Sequence, residues 1–130
     1  MLQFIVDEPL KVPLYKRALA GDVIREQFWP SCRSAAQACG CYVFAIPRKR
    51  GASGNLPIYV GKATRTFEQE CFTSDKLTKI NRFLLDRRTD ELLLILLRHP
   101  RGRGRINARA IEELESNLIR FAVAQSEANK

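Results

Sequence analysis

Glu115 is the residue whose position in this sequence most plainly asks for chemistry. It lies in a stretch, Asn107 to Gln125, that reads as a helix with Asn107 as its N-cap. At about 100° per residue, with Ile111 set at about 0°, Leu114 falls at about 300°, Leu118 at about 340°, Ala122 at about 20°, Ile119 at about 80° and Phe121 at about 280°. These define one apolar arc. Glu115 falls at about 40°, inside it, whereas Glu112 and Glu113, at about 100° and 200°, lie at its edge and outside it. A carboxylate within an apolar stripe is costly unless a metal ion, a cation or a hydrogen-bond network receives it. Its neighbours one turn away, Ile111, Glu112, Leu118 and Ile119, include no cation. Three readings stay open: a functional carboxylate, a carboxylate at the rim of the stripe, or one paired with a core arginine.

The second kind of candidate is basic. Lys and Arg total 22 against 14 Asp and Glu, for a net charge of +8. Such a surface attracts polyanions, of which nucleic acid is the commonest. Three clusters carry the charge: Arg48, Lys49 and Arg50; Lys76, Lys79 and Arg82; and the run Arg98 to Arg105, which contains Arg101, Arg103 and Arg105 and no acid. Arginine-rich, glycine-containing loops suit phosphate contact, although solvated turns have the same composition. Zinc chemistry is disfavoured. Cys39 and Cys41 are one residue apart, no matching Cys/His pair follows, and His99 is the only histidine. Cys32, Cys39, Cys41 and Cys71 read as buried reduced thiols.

The elements that must hold these groups follow from periodicity. With 130 residues, 45% of them hydrophobic, the chain fits one compact domain. Leu14, Leu19, Val23, Ile24 and Phe28 share a helical face and predict a helix from about Pro13 to Trp29, with a short one through Ser34 to Cys39. Cys41 to Ile46 and Leu56 to Val60 read as strands of an antiparallel hairpin, joined by the basic loop Pro47 to Asn55. Thr64 or Thr66 caps a short helix through Phe67 to Phe72. Thr73 or Ser74 caps another, with Leu77, Ile80 and Leu84 on one face. Leu92 to Leu97 is a buried strand by length. No secretory signal is apparent, since Asp7 and Glu8 interrupt the first apolar residues, and no run is long enough to span a bilayer. The expected location is cytoplasmic.

Three motifs sit on these elements: Gly40-Cys41-Tyr42 opening the first strand, Ile58-Tyr59-Val60-Gly61-Lys62-Ala63 ending the second, and Leu114-Glu115-Ser116-Asn117-Leu118-Ile119 on the last helix. Together they resemble the GIY-YIG nuclease superfamily over about residues 40 to 125. The resemblance implies an α+β fold with a small three-stranded antiparallel sheet flanked by helices, formed by residues 40–130, with residues 1–39 as a helical extension packed on that core. It implies a metal-dependent DNA endonuclease: Glu115 as ligand of one Mg²⁺ or Mn²⁺, Tyr42 and Tyr59 at the attacking water and scissile phosphate, one of them a candidate base, and Lys62 as the lysine that often follows the second motif. DNA, double-stranded or branched, is the implied partner.

The chain departs from the family pattern twice. The loop Arg48 to Asn55 lengthens the hairpin, which costs little at a surface. The family's arginine on the helix after the second motif falls here on Gln69, between Glu68 and Glu70. Arg65, Lys76 or Lys79 would have to supply the cation from a shifted position. Glu70 is either a second acid of the site or a helix-capping residue. The alternatives are a domain of this fold that binds nucleic acid without cutting, and an interaction module for an acidic protein.

Overall fold

Residues 40–47 are apolar on both faces of a period-2 pattern, and such a strand needs cover on both sides. In the computed structural model, which describes residues 3–48, 54–100 and 105–128 and side chains through Gln125, this segment is β3 (Gly40–Pro47). It pairs antiparallel with β4 (Asn55–Ala63) on one side and with β5 (Leu93–Arg98) on the other. Two short strands, β1 (Ile5–Val6) and β2 (Leu10–Lys11), pair antiparallel with the outer side of β5. The sheet therefore has five strands in the order β1-β5-β3-β4, with β2 also on β5, rather than three. The two additional strands have two residues each, too few for alternation to register in the sequence.

The N-terminal segment differs from expectation for a second reason. Lys16 and Arg17 take positive φ (51° and 65°), which closes Tyr15 onto Ala18 through paired backbone hydrogen bonds of 2.8 and 3.0 Å. The helix predicted from Pro13 thus begins only at Gly21. It comprises α1 (Gly21–Val23), a π-helical stretch (Ile24–Phe28) and α2 (Trp29–Ser31), followed by α3 (Arg33–Ala36). Of the residues the periodicity marks, Ile24 and Phe28 in the helix and Leu19 before it are buried, whereas Leu14 and Val23 are half-buried. α4 (Phe67–Glu70), α5 (Ser74–Arg87) and α6 (Ala108–Ala128) complete the chain.

The sheet separates two apolar layers. On one face Tyr42, Phe44 and Ile46 of β3 pack with Phe67 of α4, Ile80 and Leu84 of α5, and Phe28 and Trp29 of the N-terminal helices. On the other, Cys41, Val43 and Leu97 receive Ile111, Leu114 and Leu118 of α6. The β5 edge is covered by β1 and β2, whereas the far edge of β4 pairs with no strand among the described residues.

Two polar links fix the C-terminal end of β5. Arg98, expected in a loose basic loop, is the last residue of the strand and forms a bidentate pair with Asp7 (2.6 and 3.0 Å). His99 accepts a hydrogen bond at Nε2 from the Asn107 amide (2.9 Å), and Asn107 caps α6 by accepting one from Ala110 N–H (3.0 Å). At the head of β3, Gly40 has φ +143°, and a Cβ there would lie 2.1 Å from the Leu97 carbonyl oxygen. No L side chain fits that close approach of β3 to β5. Gly40→Ala is therefore expected to cost about 3 kcal/mol or more, read as a lowered urea midpoint or as failure to fold.

Candidate functional site

The β3–β4 register builds the site. Phe44 pairs with Tyr59 and Tyr42 with Gly61, so the two tyrosines are diagonal neighbours on one face. Their rings lie 6.5 Å apart and 19° from parallel. Tyr42 is wholly buried, and its ring passes over Gly61, where a Cβ would sit 2.3 Å from both Tyr42 Cζ and Oη. The second glycine of the motif pattern is thus explained by space: it makes room for the tyrosine of the first. The Tyr42 hydroxyl has no hydrogen-bond partner among the described residues. Tyr59, near the open edge, is only half-buried.

Glu115 approaches the same rim from α6. Ile111 is fully buried and Leu114 and Leu118 pack beside it, whereas Ile119 and Phe121 are exposed, so the buried arc of the helix is narrower than the apolar one. Glu115 lies at its border, half-buried, with no hydrogen bond or ion pair among the described residues. No described arginine takes it. Its charge acts on Cys41, Tyr42 and Lys62. Lys62 Nζ lies 3.0 Å from Glu112 Oε1, an exposed pair that brings a second carboxylate to the rim. Sequence reading passed over Glu112 because it falls at the edge of the apolar arc; the available signal was its place one helical turn before Glu115.

The cations proposed to replace the family arginine separate clearly. Lys76, half-buried, places Nζ 5.2 Å from the centre of the Tyr42 ring and donates to the Glu70 carbonyl. Lys79 pairs with Asp75 at 3.0 Å one turn away and lies in the field of Tyr59. The Arg65 guanidinium meets no described partner; its backbone amide donates to Glu70 Oε2 (2.7 Å), so Glu70 closes a turn. Gln69 is tied to its helix cap: its backbone amide donates to Thr66 Oγ1 (3.1 Å), and Thr66 Oγ1 donates to its side-chain Oε1 (3.2 Å).

Of the arginines expected to contact phosphate in the two basic loops, Arg48 and Arg105 are described. Arg48 Nη2 donates to Gln125 Oε1 at 2.5 Å and ties the hairpin to α6, and Arg105 is exposed. Lys49, Arg50, Arg101 and Arg103 lie outside the described residues. Among the described residues no group of three or more His, Cys, Asp or Glu gathers to hold a metal ion, and no helix is long and apolar enough to cross a membrane.

Burial sets the ionisation at this rim. It raises the Tyr42 phenol well above its ordinary value, with Cys71, Tyr59, Glu70 and Glu115 adding to the effect. Burial likewise pushes the Cys41 thiol up to about 12, aided by Glu115 and opposed by Lys62. The Glu112 hydrogen bond raises Lys62. Tyr42 is therefore a neutral donor at physiological pH. Comparison of the chain with protein-family models finds no match, and comparisons with curated proteins and with solved structures find none either.

Two outcomes follow from the unsatisfied hydroxyl and the raised acids. Tyr42→Phe removes a buried polar group without a partner and is expected to stabilise the fold by about 1 kcal/mol in urea unfolding. Raised folded values mean that the unfolded chain releases protons first, so stability holds below the ordinary thiol value of 9.0 and falls as pH rises from there towards 12. Each raised group contributes a slope of up to about 1.4 kcal/mol per pH unit. Cys41→Ala is expected to make that alkaline decline shallower by one proton's worth.

Proposed function

We propose that this chain is a divalent-metal-dependent DNA endonuclease of the GIY-YIG type, acting in the cytoplasm, with β3, β4 and β5 as the three-stranded sheet of that fold and β1 and β2 as additions to it. One observation carries the reading. Two polar groups without described partners, the buried Tyr42 hydroxyl and the half-buried Glu115 carboxylate, share one rim of the sheet with lysines around them. A buried unsatisfied group costs about 1–3 kcal/mol, and a substrate that meets both accounts for their being kept.

The donor set fits a hard cation. Glu115 is the carboxylate that would hold one Mg²⁺ or Mn²⁺, and a single carboxylate suffices for an ion that retains most of its waters. When bound, the ion supplies Lewis acidity and charge stabilisation to the phosphoryl group. The protein's own groups do the rest. Tyr42, held neutral by burial, keeps its hydroxyl as a donor for a phosphate oxygen, a contact that requires the side chains covering it to move aside. Tyr59, half-exposed at the edge, is the tyrosine a water can reach; once its hydroxyl proton has passed to solvent, its phenolate oxygen would take the proton of the attacking water. Lys62 and Lys76 place positive charge where negative charge develops on the phosphoryl oxygens. Lys76 replaces the family arginine, because Gln69 is engaged in its helix cap and Lys76 is the cation over the Tyr42 ring.

A second reading, a domain that binds nucleic acid without cutting, draws on the same Gln69: the position that carries the cation in the family is here a cap. A supercoiled-plasmid nicking assay in Mg²⁺ and Mn²⁺ separates the two. Nicking is expected only with metal, with rates lower by about 10²–10³ in Glu115→Ala and Lys76→Gln and partly restored in Lys76→Arg. Salt-sensitive binding by folded wild type without nicking in either metal would establish the non-cutting reading instead.

A further inference from the structure

A groove of about 300 Å³ leaves the candidate site along the bare edge of β4. Its floor is Leu56 to Val60 of β4, one wall is α5 and the other is α6. The α5 wall is a single stripe. With Lys76 at about 0°, Lys79, Phe83 and Arg87 fall at about 300°, 340° and 20°. On α6, Ile119, Ala122 and Val123 follow from Glu115 at about 40°, 340° and 80°. The two helices run in the same direction: Lys76 and Glu115 lie at the Tyr42 end, whereas Arg87 and Gln125, the latter bonded to Arg48, lie at the hairpin end. The groove thus shares Tyr59 with the candidate site, has Arg87 in its lining at the hairpin end, and points at its other end towards Lys76 and Lys79 of the same α5 stripe.

The interior is apolar and open. Phe83 is 40% exposed, Ile119 44% and Val123 53%. Tyr59 forms part of the wall nearest the site, and Arg87 is the only charged residue lining the cavity among the described residues. Apolar walls with cations at the ends suit a ligand with flat apolar faces and a polyanionic backbone. Duplex DNA offers phosphates and groove edges but hides its base faces in the stack; a single strand exposes them. The β4 floor from Leu56 to Val60 is about 13 Å long, the length of three to four nucleotides at the ~3.4 Å spacing of a stacked strand.

We infer that this groove holds a short single-stranded segment of DNA next to the scissile phosphate, its bases stacked on Phe83 and Tyr59 and its phosphates towards Lys79 and Arg87, so that the preferred substrate is a strand leaving a duplex as a flap, bubble or end. The inference rests on the DNA-cutting reading above and narrows its substrate. A second copy of this chain is the poorer occupant. Each copy carries +8, and β4 is ill-suited to strand pairing because Pro57 lacks an amide hydrogen and the ladder shifts register between Phe44 and Ala45.

The test is fluorescence anisotropy in EDTA, where binding is read without cleavage, with a labelled oligodeoxythymidine and a duplex of equal length. The single strand is expected to bind at least about tenfold more tightly than the duplex. Phe83→Ala and Phe83→Leu, the second keeping apolar volume without a ring, are expected to weaken it by roughly tenfold while Phe83→Tyr retains affinity and duplex binding stays unchanged. Arg87→Gln is expected to lower the salt slope for the single strand by about one. Equal or tighter duplex binding, or single-strand binding indifferent to Phe83, overturns the inference. A concentration-dependent dimer by sedimentation that is lost in Phe83→Ala, without single-strand preference, also overturns it and assigns the groove to self-association. Plasmid nicking with no single-strand preference would leave the nuclease standing and remove the groove; single-strand preference with no nicking would do the reverse.

Discussion

The ring of Tyr42 fills the volume that a side chain on Gly61 would occupy, and the arrangement of the site follows from that contact. A tyrosine on a central strand normally buries its ring and sends its hydroxyl to a partner. Here the ring crosses the neighbouring strand instead, because the residue opposite has no Cβ, and the hydroxyl ends buried and unpartnered over β4. Tyr59, two residues before Gly61, then stacks against it as the diagonal neighbour. Lys62, one residue after, belongs to the opposite pleat and meets α6, where Glu112 and Glu115 lie. One strand with the order Tyr-Val-Gly-Lys thereby brings a ring and a cation to opposite sides of one edge. This is possible only while β4 stays at the edge, since a further strand would close the rim.

The sequence reading succeeds where a physical period or a backbone demand leaves a mark. The apolar run of β3, the length of the Leu92–Leu97 stretch and the Asn107 cap each express a local rule, and the elements appear with bounds shifted by a residue or so. Glu115 stands out because a charge interrupts an apolar arc, and it proves half-buried and without a described partner. Failures occur where the signal is either too short or not local. The strands β1 and β2 offer two residues each, and the turn at Lys16–Arg17 uses positive φ without glycine, which no propensity anticipates. Composition also misjudged Arg98, which shares its basic run with loop residues yet is bound at both nitrogens by Asp7, ninety-one positions away. Ion pairs of that separation are decided by topology, and a sequence pattern does not contain them.

The position of Lys76 shows how the site tolerates Gln69. A lysine in the first turn of a helix opposes the helix dipole, which favours acids there, and α5 already places Asp75 in that turn. Solvent would be the ordinary destination of such a side chain. Lys76 instead folds back, half-buried, to the Glu70 carbonyl and over the face of Tyr42. The ring quadrupole and the carbonyl supply part of what water gives up, and a cation over an aromatic face contributes about 0.5–2 kcal/mol. The carbonyl it uses belongs to α4, the same short helix whose N-terminus Gln69 and Thr66 cap. Under the proposed GIY-YIG reading, a capping residue at the arginine position therefore coincides with an acceptor, one residue on, for a lysine from the next helix. On that reading the cation absent at position 69 and the one supplied by Lys76 meet on the four residues of α4; exchanging Gln69 for arginine would keep the backbone N–H that Thr66 Oγ1 receives, lose the Oε1 acceptor and add a second cation near Lys76.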